Sequence, residues 1–307
     1  MENIEIATKI ENKGNKNKSF KFKYMTSEDT QEIYILGNAF VNNNKDKCNL
    51  IIDDNINCEL REKYRFYKKG EHSITLVIND ENINFSNLFK FEFPKSYDLY
   101  DQLMSALAET ERDPFPNNFE LPKKYNNLID ASSLENLDTS ECIDLSYMFY
   151  GCHLIKDFNF IKNWDISKCK YFKGIFSFCS FKNLDFLLNW NLKNAITLEN
   201  MFYGCIYLND IKGIKNWDVK NVENFSGMFY CCESLIDAND LQNWNMSNAI
   251  DINFMFGYCK KLLTVDSLYK WKLNDKINKL NIIYRCNKLL NIPTIFKNTS
   301  EPECQIY

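Results

Sequence analysis

Cysteine offers the most chemistry in this chain: there are 12, against two histidines, His72 and His153. Six cysteines keep one beat, Cys152, Cys179, Cys205, Cys232, Cys259 and Cys286, spaced 27, 26, 27, 27 and 27 residues apart. If successive periods stack, the thiols form a column with members roughly 5 Å apart. A disulfide needs two side chains that face each other, and zinc needs four ligands around a point, so a column suits neither. The thiols are expected to be buried and reduced, acting as small apolar filler. So many unpaired thiols also fit a reducing compartment, and a cytoplasmic location is expected. Cys231 and Cys232 are sequence neighbours and should face opposite ways. Neither histidine lies in a metal or triad motif, and the chain has no glycine-rich phosphate loop. No catalytic site, cofactor or metal is expected.

Two other columns follow the same period. Five residues after each cysteine or its equivalent, allowing one deletion, stand Asp130, Asp157, Asn183, Asp210, Asp237, Thr264 and Asn291. Such a column could bind calcium or a basic partner, but short polar side chains at a bend more commonly satisfy backbone amides, which is the role expected here. The second column is aromatic: Tyr150, Tyr203, Tyr230 and Tyr284 stand two residues before a cysteine. Phe160 and Phe186 join them on adjacent periods, at a position where other periods carry Ser, Gly, Asp or Thr. Exposed aromatics on neighbouring periods would form a binding hot spot for a protein partner. Alternatively, the N-terminal module or a flanking period covers them. Both readings stand at this point. Cys304-Gln-Ile-Tyr307 sits where a prenylation box would, but Tyr is an unusual final residue and no polybasic run precedes it, so lipidation at Cys304 is not expected.

These columns need a repeating scaffold. All five tryptophans, Trp164, Trp190, Trp217, Trp244 and Trp271, are spaced 26, 27, 27 and 27 residues apart. Apolar residues lock to the same frame: Leu208, Ile211 and Ile214 precede Trp217 in steps of three, and Met201-Phe202 precedes Cys205. A period of this size means stacked units, none of which can bury its apolar face alone. Apolar positions 10, 7, 4 and 3 residues before the cysteine read as a helical stripe, with Ser140, Ser167, Asn221 and Ser247 as cap candidates. The segment after the cysteine reads as a short strand with bends. The expected fold class is therefore α/β, a leucine-rich-repeat-type right-handed solenoid of about six 27-residue coils over residues 120–298.

The Met-Phe-Tyr-Gly-Cys ends, Met148–Cys152 and Met201–Cys205, together with Cys-x-x-Leu and Trp-Asp-x-Ser, resemble the BspA-like leucine-rich repeats of bacterial surface antigens and unicellular eukaryotes. Residues 35–52 are also similar to the leader that precedes such repeats in eukaryotic members. The resemblance implies binding through a repeat surface, by adhesion in exported members and by protein contacts in intracellular ones. It implies no catalytic site.

The first third differs. Residues 1–18 are polar and expected to be unstructured. Residues 19–94 read as a β-rich capping domain, with strand-like runs at 20–24, 32–36, 48–52, 59–67 and 72–78. An alternative reading takes Ile74–Phe89 as a degenerate repeat, since Ile83-Asn-Phe-Ser-Asn-Leu-Phe89 mimics the helical half of a coil. Residues 95–119 read as a helical linker, with a helix over 96–111 stopped by Asp113-Pro-Phe-Pro116, and residues 299–307 as a tail. Asparagine reaches 42 residues, part of which reflects an AT-rich coding bias. The net charge is −4, with 16 basic and 20 acidic side chains up to residue 119 and 21 of each beyond it. Neither part has the basic excess that nucleic acid or anionic lipid requires. No secretion signal or apolar span of 18 residues occurs, so no membrane partner is expected. The sequence as a whole points to a non-catalytic protein-binding scaffold or an assembly subunit. The second reading is an adhesin exported without a classical signal.

Overall fold

A computed structural model of the chain describes residues 18–90 and 127–296. The expected helix over 96–111, the tail with Cys304 and all of the polar start except Lys18 lie outside the described residues.

Among the described residues, the strands and the α-helix are β1 (Ser19–Thr26), β2 (Gln31–Tyr34), α1 (Asn38–Asn44), β3 (Cys48–Ile52), β4 (Ile56–Glu59), β5 (Lys63–Phe66), β6 (Gly70–Ile78) and β7 (Leu128–Asp130). Strict alternation drives the long pair. In β1, Phe20, Phe22 and Tyr24 point inward between exposed or half-exposed lysines, and β6 alternates the same way. The five-stranded sheet has the order β4-β3-β6-β1-β7, all antiparallel, while β2 and β5 pair separately. Asp53 and Asp54, at φ 46 and 60, supply the left-handed backbone of the tight β3–β4 hairpin. The run expected over 59–67 divides into the end of β4 and all of β5, which belong to different sheets.

From residue 131 onward the regular structure changes. Each 27-residue unit carries a short 3-10 turn, such as Asn159–Ile161, Asp185–Leu187 and Lys212–Ile214, and single-residue parallel bridges such as Tyr171 to Thr197 and Thr197 to Asn224. The expected α/β leucine-rich-repeat solenoid is corrected here. The described elements are small antiparallel sheets, one α-helix in the N-terminal module and isolated 3-10 turns, and no unit after β7 holds an α-helix or a strand of two or more residues.

Backbone geometry explains both departures. In the segment read as a helix, two positions per unit are left-handed: Tyr147 and Gly151 in the first unit, Gly174 and Phe178 in the second, and their counterparts up to Asn281 and Arg285. A right-handed helix cannot pass through such residues. Alternate N–H groups therefore leave the unit: Tyr147, Phe149 and Gly151 donate to Lys173, Ile175 and Ser177 at 2.8–3.0 Å. The intervening groups turn back by three, as Cys152 does to Phe149 at 3.1 Å. In the segment read as a strand, apolar residues recur every three positions. Three is the period of a 3-10 turn, and Ile214 N–H duly donates to Ile211 at 3.1 Å. With no helix to cap, Ser140, Ser167 and Ser247 instead offer their N–H groups to the Asp or Asn two residues earlier.

The core runs through all units. Phe89, Phe149, Phe176, Phe202, Phe229 and Phe256 stack ring on ring with centroids 5.5–6.0 Å apart. Phe89 extends this ladder into the N-terminal module. Asn87 is left-handed (φ 60), and the N–H groups of Asn87 and Phe89 donate to Ser146 and Met148 as the corresponding groups do in every later pair. Residues 83–90 therefore form half of a unit, whereas Ile74–Ile78, the start of the stretch read as a degenerate repeat, belongs to β6.

Candidate functional site

The residues singled out for chemistry are held in structural bonds. His72 Nδ1 lies 3.0 Å from Asp53 Oδ2 and Nε2 lies 2.8 Å from the Lys68 carbonyl, with the ring stacked on Phe66. His153 Nδ1 faces the Gly151 carbonyl. All described cysteines are free. Those of the column do more than fill space: Cys179, Cys205, Cys232, Cys259 and Cys286 each donate S–H to the Phe carbonyl of the preceding unit, at 3.0–3.2 Å. Burial pushes the thiols of Cys179, Cys232 and Cys259 well above their usual range, which suppresses the thiolate that nucleophilic chemistry needs. In the N-terminal module, burial raises Cys48 to about 12. Cys231 packs in a satellite aromatic cluster while Cys232 faces the main core, so the two do point opposite ways.

The Asp/Asn column also serves the backbone. Asp130, Asp157, Asp210 and Asp237 each accept, through Oδ1, the N–H two residues on at 2.6–2.9 Å. Asp218 and Asn224 make the same turn at two further corners of their unit. Asn194, Asn221 and Asn248 reach back to carbonyls of the previous unit at 2.6–3.0 Å. The asparagine abundance therefore has a structural use, since chains built of turns leave many backbone groups to be satisfied by short polar side chains.

One of these turns carries a pH signature. The Ser140 hydroxyl donates to Asp138 at 2.7 Å, and this bond, followed by the Ser140 N–H, holds the carboxyl below its usual range. A lowered folded pKa supplies stability that is complete above the unfolded value of about 3.9 and is lost as pH falls through the folded one. Ser140→Ala should therefore raise the Asp138 pKa and lower stability above about pH 4, with the difference from wild type shrinking as pH falls through the folded pKa. A carboxyl titration by NMR that is the same in both proteins would contradict this.

The aromatic candidates divide. Phe186, at 6% exposure, is enclosed by Phe158, Phe176 and Phe181, and Tyr203 and Tyr230 are buried with Phe178 and Phe254. An exposed contact built from Phe186, Tyr203 and Tyr230 is thus corrected: flanking units cover all three. Tyr150 and Tyr284 are half-buried at the margin of the same satellite cluster. Phe160 is half-buried too, and its ring opens onto a cleft of about 620 Å³.

That cleft lies where the N-terminal module meets the first full unit. β1 contributes Met25 at its end, β7 and the turn after it contribute Ile129, Asp130 and Ser132, and the unit contributes Leu154, Ile155, Lys156, Asp157 and Phe160. Its position is fixed by the β1–β7 pairing and by the Met25–Asn127 bonds, at 2.9 Å between backbones and 2.6 Å from the Asn127 amide. Met25 and Leu154 remain 39% and 37% exposed, so the apolar wall is open to solvent. Asp130 and Asp157 each use Oδ1 on their own turn, and among the described residues Oδ2 has no hydrogen-bond donor. Sequence reading singled out Phe160 as a contact and named Asp130 and Asp157 as backbone-satisfying residues, but could not find Met25 or Ile129, which only the strand pairing brings there.

Among known families, the one described as "Mycoplasma protein of unknown function, DUF285" matches residues 119–212 and again 173–296. No curated protein and no solved structure matches the chain. No described helix is long and apolar enough to cross a membrane.

Proposed function

The chain belongs to the DUF285 family, and on that footing we propose that it is a non-catalytic protein-binding scaffold, or a structural subunit of a larger assembly. The reading rests on the cleft between β1 and the first full unit. There, open apolar side chains sit beside two carboxylates with uncommitted oxygens, the composition of a site that takes an apolar anchor next to a basic group. The likeness of the units to BspA-like repeats supports it, since those repeats bind through their surfaces. The near-balanced charge favours a protein over nucleic acid or anionic lipid as partner.

The test is sizing and cross-linking of native lysate, followed by the variant Leu154→Asp. The wild-type chain should elute well above its own 36.4 kDa and cross-link through lysines around the cleft, Lys156 among them. Leu154→Asp should abolish the association and leave the melting temperature unchanged, because this side chain is already partly in water. Elution as a free chain without cross-links, or a Leu154→Asp variant that keeps its partner, would overturn the reading.

A further inference from the structure

The two carboxylates of the cleft are counterparts on successive layers, which stack roughly 5 Å apart. Trp164 ties these layers together by donating Nε1–H to the Leu134 carbonyl at 2.9 Å. With Oδ1 of each spent on its own turn, Asp130 and Asp157 present two oxygens that meet no donor among the described residues. Two units further on, Asp210 shows what such an oxygen takes, since Lys212 Nζ lies 3.6 Å from its Oδ2. The positions that correspond to Lys212 are Ser132 and Asn159 at the cleft, and neither carries a charge. Among the described residues, this is the one place in the Asp/Asn column where carboxylates stand on adjacent layers with no cation paired to either.

Nearby lysines do not replace that cation. Lys23, opposite Asp130 in the β1–β7 pairing, is held by Glu71 at 3.0 Å. Lys156 lines the cleft but forms no ion pair with either carboxylate among the described residues. The rest of the wall is apolar, with Met25 and Leu154 exposed and the Phe160 ring half-buried. A volume of about 620 Å³ takes a few side chains rather than one.

Resting on the reading of this cleft as the partner site, we propose that its ligand is a segment of another polypeptide in which an arginine stands next to a bulky aliphatic residue. The guanidinium bridges Asp130 Oδ2 and Asp157 Oδ2 and lies against Phe160, while the aliphatic side chain covers Leu154 and Met25. Arginine suits the site better than lysine. Its planar fork of donors reaches carboxylates on two layers at once and stacks on an aromatic face, whereas an ammonium is a point charge. An acidic segment would add like charge to carboxylates that are already unneutralised. A second copy of this chain does not supply the pair: Leu60 beside Arg61, Phe66 beside Arg65 and Cys286 beside Arg285 are all buried in the chain's own core.

The probe is the blocked peptide acetyl-Ser-Leu-Arg-Leu-Ser-amide, titrated into the purified full chain by calorimetry. Lysine, citrulline and glutamate versions of its central residue run beside it. The arginine peptide should bind with a Kd of about 100 μM. Lysine should bind about fivefold more weakly and citrulline, which keeps the shape without the charge, about tenfold more weakly. The glutamate peptide should not bind, and added salt should weaken the arginine complex. Asp130→Asn and Asp157→Asn should each cost the arginine peptide about tenfold and leave the citrulline peptide unaffected. Both variants should keep the wild-type melting temperature, because asparagine retains the turn acceptor, as Asn183 Oδ1 does for the Asp185 N–H at 3.2 Å. The proposal fails if citrulline binds as well as arginine. It fails equally if the arginine peptide does not bind, the result expected if a second copy or another part of the chain fills the cleft. Its failure is distinguishable from that of the reading beneath it. A lysate partner lost by Leu154→Asp but kept by the Asp130→Asn, Asp157→Asn double variant would leave the cleft as the partner site and overturn the arginine, whereas a partner kept by Leu154→Asp would overturn both.

Discussion

Replacing Trp244 by alanine is expected to destabilise the chain by about 4 kcal/mol, at the upper end of what a single side chain contributes. The indole is 3% exposed, packs against Phe225 and Trp217 at centroid distances of 5.8 and 6.3 Å, and donates Nε1–H to the Ile214 carbonyl at 3.1 Å. Alanine leaves a cavity that rigid turns on either side cannot close. The carbonyl keeps its second donor, the Trp217 N–H at 3.1 Å, so most of the loss is packing. Trp244→Phe, which keeps an aromatic ring but no N–H, should cost about 1–2 kcal/mol. Urea unfolding separates the two. Because each unit contacts chiefly its neighbours, the alanine variant should also unfold in two steps, with units on either side of the lesion uncoupled. A single transition with less than about 1 kcal/mol lost would refute the continuous core.

The second large effect lies at the junction of the N-terminal module with the array. Gly37 has an ordinary extended backbone, φ −69 and ψ 140, so conformational freedom is not why glycine stands there. Room is the reason. A Cβ on Gly37 would sit 2.0 Å from the Asn87 carbonyl oxygen and 2.7 Å from that of Lys90, both backbone atoms that cannot swing aside. Gly37→Ala must push α1 away from residues 83–90 and lengthen the Gly37 to Leu88 bond, at a cost of about 3 kcal/mol. The melting temperature should fall accordingly, and amide exchange should rise first around Leu88 and Phe89. Wild-type stability in this variant would mean that the module does not rest on the half-unit at all.

Much of this was legible in the sequence. Phe149, Trp217 and Cys205 recur on one period, and every unit places them in the same surroundings, so their inward direction could be read by counting. Alternation in Phe20-Lys-Phe-Lys-Tyr24 likewise gave β1 its buried face. The helix and strand assignments within the unit failed for a local reason. An apolar stripe reports which residues are buried, and a run of turns buries the same spacing as a helix does when it rests on a neighbour. The missed signal was glycine and asparagine at two fixed places in the supposed helix, Gly174, Asn200, Gly227 and Asn281 at one and Gly151 and Gly204 at the other, positions that must be left-handed.

By itself, then, the sequence determined the period, the inward columns and the absence of a recognisable catalytic motif, because these depend on residue type and spacing along the chain. Only the tertiary structure decided that N–H groups leave the unit in alternation, that Phe186, Tyr203 and Tyr230 are covered while Phe160 opens on a cleft, and that Gly37 closes onto the half-unit at Leu88. Those features arise between segments far apart in sequence, Met25 with Asn127, Gly37 with Leu88, and one unit with the next. Which atoms cover which is settled by packing across such distances, and no spacing along a single chain records it.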